Sequence, residues 1–273
     1  MTPPKRVAPP GACDCHMHVY EDRWPLVPQA VFKPPHAPLK DYLAVRKALG
    51  LSRAVLVQPN GYGFDNRCML EALASLSESA RAIAIVEPDA TDAELDRLTL
   101  AGVRGIRYHL LPGGMLPLET LETMAARVAG FGWHVQMQLN GRDLEQYEKV
   151  FASLPVPLVI DHNGKFMEPV ATDHPGFQAL LRLLDGGNTW VKLSAPYETS
   201  KTGPPHYDDV SVLARALVAA APDRCVWASN WPHPGRSPVP DTALMLDLLL
   251  EWAGDEPTRQ RILVDNPARL YGF

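Results

Sequence analysis

The apolar positions of this chain fall into short runs, each closed by a polar residue and most followed by a stretch with helical spacing. The first run, Ala12 to Val19, leads into a long Pro-rich connection, Tyr20 to Pro38. Leu39 to Leu49 then has helical spacing until Gly50 stops it. Arg53 to Pro59 is the next apolar run, and a helix over Asp65 to Ser77 leads to Ala82–Val86, closed by Glu87 and Pro88. The alternation continues: helices at 92–101, 118–131, 142–153, 175–185 and 207–220 precede strands Val103–His109, His134–Leu139, Pro157–His162, Thr189–Ser194 and Cys225–Asn230 in turn. Two last helices, near 241–252 and 257–264, finish the chain.

Eight strand-then-helix units imply a parallel sheet, and eight in 273 residues imply a single closed (β/α)8 TIM barrel over residues 1–273, with 1–11 as an N-terminal arm. An open doubly wound sheet would want a phosphate-binding glycine turn after its first strand, and His16-Met17-His18-Val19 is nothing like one.

In such a barrel the active site lies at the C-terminal ends of the strands, so their last polar residues form a ring. The ring reads His16 and His18, Gln58 and Asn60, Glu87, Arg107 and His109, Gln136 and Gln138, His162, Lys192 and Ser194, and Asn230. Singly these have plain structural readings: Gln58 or Glu87 could cap a turn, and Lys192 could pair with Glu87. Together, a hydrogen-bonding group at the end of every strand is a site-like pattern. His16 and His18 share a strand face, while Cys13 and Cys15 are expected on the opposite one. Asn163-Gly164-Lys165 puts a flexible lysine beside His162, suited to a carboxylate, and Pro112-Gly113-Gly114 is either an anion nest or a plain turn. Tyr197 offers a phenol at the mouth or packs against the first loop.

Composition removes other function classes. A formal charge of -5 and a pI near 6.0 give no basic surface for nucleic acid or anionic membrane. No apolar run approaches the ~20 residues needed to cross a bilayer. The first residues, Met1-Thr2-Pro3-Pro4-Lys5-Arg6, lack the apolar core of a signal peptide, which points to the cytoplasm. Cys13, Cys15, Cys68 and Cys225 have neither zinc spacing nor a disulfide framework.

Three motifs carry a family resemblance: the His-x-His first strand, Asp161-His162-Asn163-Gly164-Lys165-Phe166, and Trp227-Ala228-Ser229-Asn230-Trp231-Pro232-His233. With the closing Val264-Asp265-Asn266-Pro267-Ala268-Arg269-Leu270-Tyr271, the chain resembles the amidohydrolase superfamily. The branch is the one containing 2-pyrone-4,6-dicarboxylate lactonase and D-galactarolactone isomerase. In metal-dependent relatives, first-strand histidines, later histidines and an eighth-strand aspartate hold divalent ions. Here that aspartate position is Asn230, a poor zinc ligand and no base near neutral pH. Asn230 therefore argues against a metal, although His16, His18 and His162 could hold one weakly, and no cofactor is expected.

The resemblance also implies lactone chemistry on a small carboxylated substrate. In the lactonase the aspartate resembles a base that activates water; an asparagine favours the isomerase, in which a substrate hydroxyl attacks the lactone carbonyl. On this expectation His16, His18, His162 and Asn230 are catalytic. His162 or a first-strand histidine shuttles the proton, and His16 and His18 donate to the oxyanion. Gln58, Asn60, Arg107, Gln138, Lys165, Tyr197 and His233 bind substrate. A lactonase, a metal-dependent amidohydrolase and a non-catalytic sugar-acid binder remain as alternatives.

Overall fold

The structure, a computed structural model, describes residues 2–273. Eight parallel strands follow one another around a barrel in chain order: β1 (Cys13–Met17), β2 (Arg53–Val57), β3 (Ala80–Ala84), β4 (Val103–His109), β5 (His134–Gln138), β6 (Leu158–Ile160), β7 (Thr189–Leu193) and β8 (Cys225–Trp227). The helices between them are α1 (Leu39–Leu49), α2 (Arg67–Leu76), α3 (Asp92–Leu100), α4 (Leu121–Ala129), α5 (Leu144–Ala152), α6 (Pro175–Asp185) and α7 (Asp208–Ala220). After β8 come α8 (Thr242–Ala253), α9 (Glu256–Gln260) and α10 (Asn266–Tyr271). The expected barrel is present. No helix among the described residues is long and apolar enough to cross a membrane.

Helix α6 shows how the pattern works locally. The His174 ring accepts from Gly176 N at 3.1 Å, Pro175 sits in the first turn where no amide hydrogen is needed, and Phe177, Leu180, Leu183 and Leu184 bury one stripe. Such stripes pack on the outward residues of the strands, including Leu56, Ile106, Met137, Ile160 and Trp227. Each large apolar side chain so buried stabilises the fold by about 1.5–3 kcal/mol.

Two expectations fail here. Helix α10 lies beyond 257–264, the last helix expected, because Pro267 falls in its first turn, the one place in a helix that tolerates it. β3 ends at Ala84 rather than Val86, which leaves Glu87 exposed and off the ring.

The first strand brings a third correction. β1 and β2 lose register between Asp14 and Met17, where two residues of β1 stand against one of β2. This bulge undoes strict alternation, so Cys13 and Cys15 share the barrel interior with Val55, Val57, Ile83, Val159 and Val226 instead of facing away from the histidines. The buried Asp14 carboxylate pins the bulge, accepting from His16 N at 3.2 Å, Ser229 N at 2.9 Å, Ser229 Oγ at 2.5 Å and Tyr42 Oη at 3.1 Å. The barrel closes beside it, as Asn230 N donates to His16 O and His18 N to Trp231 O. The first and last motifs are therefore joined backbone to backbone.

Candidate active site

A cavity of about 420 Å³ opens at the C-terminal ends of the strands, within the ~300–1,000 Å³ usual for small-molecule sites. His18, Asn60, Arg107, His109, Gln138, His162, Lys165 and Asn230 line it. The others of the expected set stand elsewhere. Gln58 donates to Gly63 O and Asp65 O at 3.1 and 2.9 Å, holding the loop after β2. Tyr197 and His233 lie behind Asn230, and His16 is wholly buried beneath the cavity.

The floor is a buried polar network in which Asp161 Oδ1 alone of the acidic oxygens has no hydrogen-bond donor. His16 Nε2 and His18 Nε2 are 3.1 Å apart, and His18 Nδ1 lies 2.7 Å from Val57 O. Gln136 Nε2 donates to Asp161 Oδ2 at 3.0 Å, and Lys192 Nζ to Gln136 Oε1 at 2.5 Å. Lys192 is also 3.4 Å from Asp161 Oδ1, and not paired with Glu87. Burial alone would raise the Asp161 carboxyl, but Lys192 and His16 outweigh it and hold it well below its usual range. Burial, then the Lys192 charge, pushes His16 well below the ordinary imidazole value.

The rim is more open. His162 Nδ1 contacts Ser194 Oγ at 2.8 Å, and its Nε2 has no protein partner. Burial and the neighbouring Lys165 and Lys192 keep this ring neutral, its proton affinity well below the ordinary range despite Asp161. Arg107 donates to Gln58 O at 2.9 Å and to Gln138 Oε1 at 3.1 Å, while its Nε has no protein partner. Nor do the buried Asn60 Oδ1 and His109 Nδ1. Buried polar atoms are seldom left so, and three around one cavity mark where a polar ligand belongs.

Lys165 is not the flexible lysine expected: it is buried and ion-paired with Glu198. Burial, then nearby Arg107 and Arg236, pushes its ammonium down to about 7. Asn230 Nδ2 donates to Tyr197 Oη at 2.9 Å and Glu198 Oε1 at 3.1 Å. Because a carboxylate only accepts, Glu198 fixes which way the amide faces and leaves Oδ1 as its free atom. His233 Nδ1 lies 2.9 Å from Tyr197 Oη and its Nε2 lies 2.8 Å from Thr242 Oγ1, so it braces that phenol.

The backbone is strained at the same places. His162, Asn163, Lys165, Ala195, Asn230 and His233 all have positive φ, at the ends of β6, β7 and β8. Gly114 is needed for a different reason: a Cβ there would lie 1.8 Å from His109 O. Its N–H donates to Leu111 O in a turn and is not turned to an anion.

The match of the family model described as Amidohydrolase to residues 13–273 settles the kinship. The chain is an enzyme of the amidohydrolase family. A D-galactarolactone isomerase from Agrobacterium fabrum is 36% identical over 99% of this chain and 94% of its own length. A 2-pyrone-4,6-dicarboxylate hydrolase from Comamonas testosteroni is also 36% identical, over 98% and 92%. An Agrobacterium tumefaciens protein crystallised in its apo form superposes with a TM-score of 0.93 at 36% identity, covering 99% of this chain and 98% of the other.

Amidohydrolase sites can hold divalent ions, and the donors present here decide whether this one does. Ligand atoms of His16, Asp161 and His162 lie within 4.8 Å of one another. Yet Asp161 is engaged by Lys192 and Gln136, an ammonium stands 3.3 Å from His16 Nδ1, and the eighth-strand position is an amide already bonded to Glu198. This donor set does not fit a divalent cation.

Sequence reasoning left Asp14, Asp161, Gln136, Lys192, Glu198 and Arg236 out of the chosen site. Asp161 and Lys192 had a signal, a charged residue in an otherwise apolar strand. Arg236, on the loop after β8, lines the cavity with none.

Proposed function

We propose that this amidohydrolase isomerises the ring of a small carboxylated, sugar-acid-type lactone without a metal, by intramolecular acyl transfer. The observation that carries this is Asn230: the β8 position presents an amide oxygen to the cavity, not a carboxylate that could take a proton from water. The relative named D-galactarolactone isomerase supports the same reading.

The free Nε2 of His162 accepts the proton of a substrate hydroxyl as that oxygen attacks the lactone carbonyl. The new C–O bond forms, the old ring C–O bond breaks, and the same proton passes to the departing oxygen. No water is consumed. Holding hydroxyl and carbonyl together replaces a bimolecular encounter by a first-order one. Arg107 and Lys165 bind the carboxylate and stabilise the oxyanion, since His16 and His18 spend their N–H groups on each other and on Val57 O. Asn230 Oδ1 accepts from the attacking or departing hydroxyl. Asn60 and Gln138 contact the sugar-acid hydroxyls.

A lactonase is the second reading, favoured by the equal identity to the 2-pyrone-4,6-dicarboxylate hydrolase. A proton NMR time course with D-galactaro-1,5-lactone and chelator-treated enzyme separates the two. A second lactone forming before the open acid is the expected result; open acid as the first product contradicts it.

A further inference from the structure

The carbonyl of Val57 can only accept, so the His18 nitrogen 2.7 Å from it, Nδ1, carries the hydrogen. A neutral His18 then has a lone pair on Nε2. The atom facing that lone pair at 3.1 Å is His16 Nε2, which must therefore be the N–H of its ring. His16 Nδ1 is left as a lone pair in need of a donor.

Three groups stand near that lone pair. Lys192 Nζ is 3.3 Å away, Gln136 Nε2 3.4 Å and Asp161 Oδ1 3.3 Å. Asp161 is an acceptor. Gln136 is turned so that its oxygen receives Lys192, while its nitrogen donates one hydrogen to Asp161 Oδ2 and brings the other to His16 Nδ1 at 3.4 Å. Lys192 is the nearer donor and the one that carries charge. Its hydrogens go to His16 Nδ1 and Gln136 Oε1, and its charge stands 3.4 Å from Asp161 Oδ1.

We propose that Lys192 is a positioning residue whose ammonium takes the electrostatic place of a divalent ion on this floor, fixing the His16 tautomer and so closing the His16–His18 pair to both proton transfer and metal. Without the ammonium, Asp161 is the charged neighbour of Nδ1 and draws the His16 hydrogen to that side. The two Nε2 lone pairs then face each other at 3.1 Å, with the His162 ring centred 4.9 Å from that of His16 and Asp161 at the far nitrogen, Nδ1. Paired imidazole lone pairs, with a carboxylate holding the far nitrogen of one ring, form a divalent-metal site. One side chain thus separates a closed floor from a metal centre. The inference rests on the site's placement and not on the substrate proposed for it, and its test needs no substrate.

The test begins with the native protein labelled with 15N in its histidine rings. Long-range 1H–15N spectra are expected to show His16 hydrogenated at Nε2 and His18 at Nδ1, both neutral. His16 hydrogenated at Nδ1, alone or as an imidazolium, would overturn the proposal whether or not any variant folds. In Lys192→Met, of similar size and no charge, the His16 hydrogen is expected to move to Nδ1. Zinc titration followed by calorimetry is expected to give about one equivalent bound by that variant and none by the native floor. Uptake that survives in His16→Asn/Lys192→Met, or an unchanged tautomer with no uptake in Lys192→Met, contradicts it.

Discussion

Floor and rim of this cavity hold the same kinds of residue and use them in opposite ways. The rings of His16 and His162 are 4.9 Å apart, both buried and both held neutral. His16 has both nitrogens engaged, by His18 and by the Lys192–Gln136–Asp161 cluster. His162 has only Ser194, on a ring that lines the cavity, and its second nitrogen has no protein partner. Burial and neutrality are thus shared; what distinguishes a candidate base from a structural histidine is whether a nitrogen remains unspent. Lysine divides the same way, Lys192 with two acceptors and a carboxylate inside the barrel and Lys165 at the rim with Glu198.

The sharpest way to break this comparison is to remove one histidine from each side. His162→Asn is expected to lower kcat by about 10²–10⁴-fold with little change in melting temperature, the loss usual for a general acid–base. His16→Asn is expected to retain a far larger share of kcat. Equal losses of kcat would erase the distinction.

The anion-binding groups come next. Arg107→Met is expected to raise KM by about 10- to 100-fold, the worth of a charged hydrogen bond of ~1.5–3 kcal/mol, with a smaller change in kcat. Lys165→Met should do the same to a lesser degree. The charged Lys165 ammonium exists below about 7 and is lost as pH rises through it. KM should therefore climb on the alkaline side, and Lys165→Arg should flatten that limb because a guanidinium keeps its proton. The acid limb, set by His162, should fall below the ordinary imidazole range.

Asn230→Asp sharpens the rim itself. A carboxylate there can accept a proton from water, so open acid should rise relative to isomerised lactone by about tenfold. The gain is limited because the new carboxylate meets Glu198 where the amide donated at 3.1 Å, and two such groups hold a proton between them. The smallest effect belongs to the floor: His16→Asn should cost about 1–3 kcal/mol of stability in denaturant melts, through the lost buried hydrogen bonds.

The fold was legible because strand and helix periods differ and the chain obeys both from Ala12 to Ala253. The ring of strand-end residues was legible for the same reason, and His18, Arg107, Gln138, His162 and Asn230 line the cavity. What escaped has a common cause. The bulge at Cys15 and His16 is set by Asp14 meeting Ser229, 215 positions away, and no local pattern records that. Tyr197 and His233 lie on loops, where alternation does not decide the direction of a side chain, and both ended behind Asn230. Glu87 was lost because β3 stops early.

The central claim is that this rim moves an acyl group between two oxygens of one substrate and keeps water out. Turnover of D-galactaro-1,5-lactone in ¹⁸O-water, read by mass spectrometry, tests it most directly. The account predicts a product lactone of unchanged mass that accumulates before any labelled acid. Open acid carrying ¹⁸O from the first turnover onward would contradict it.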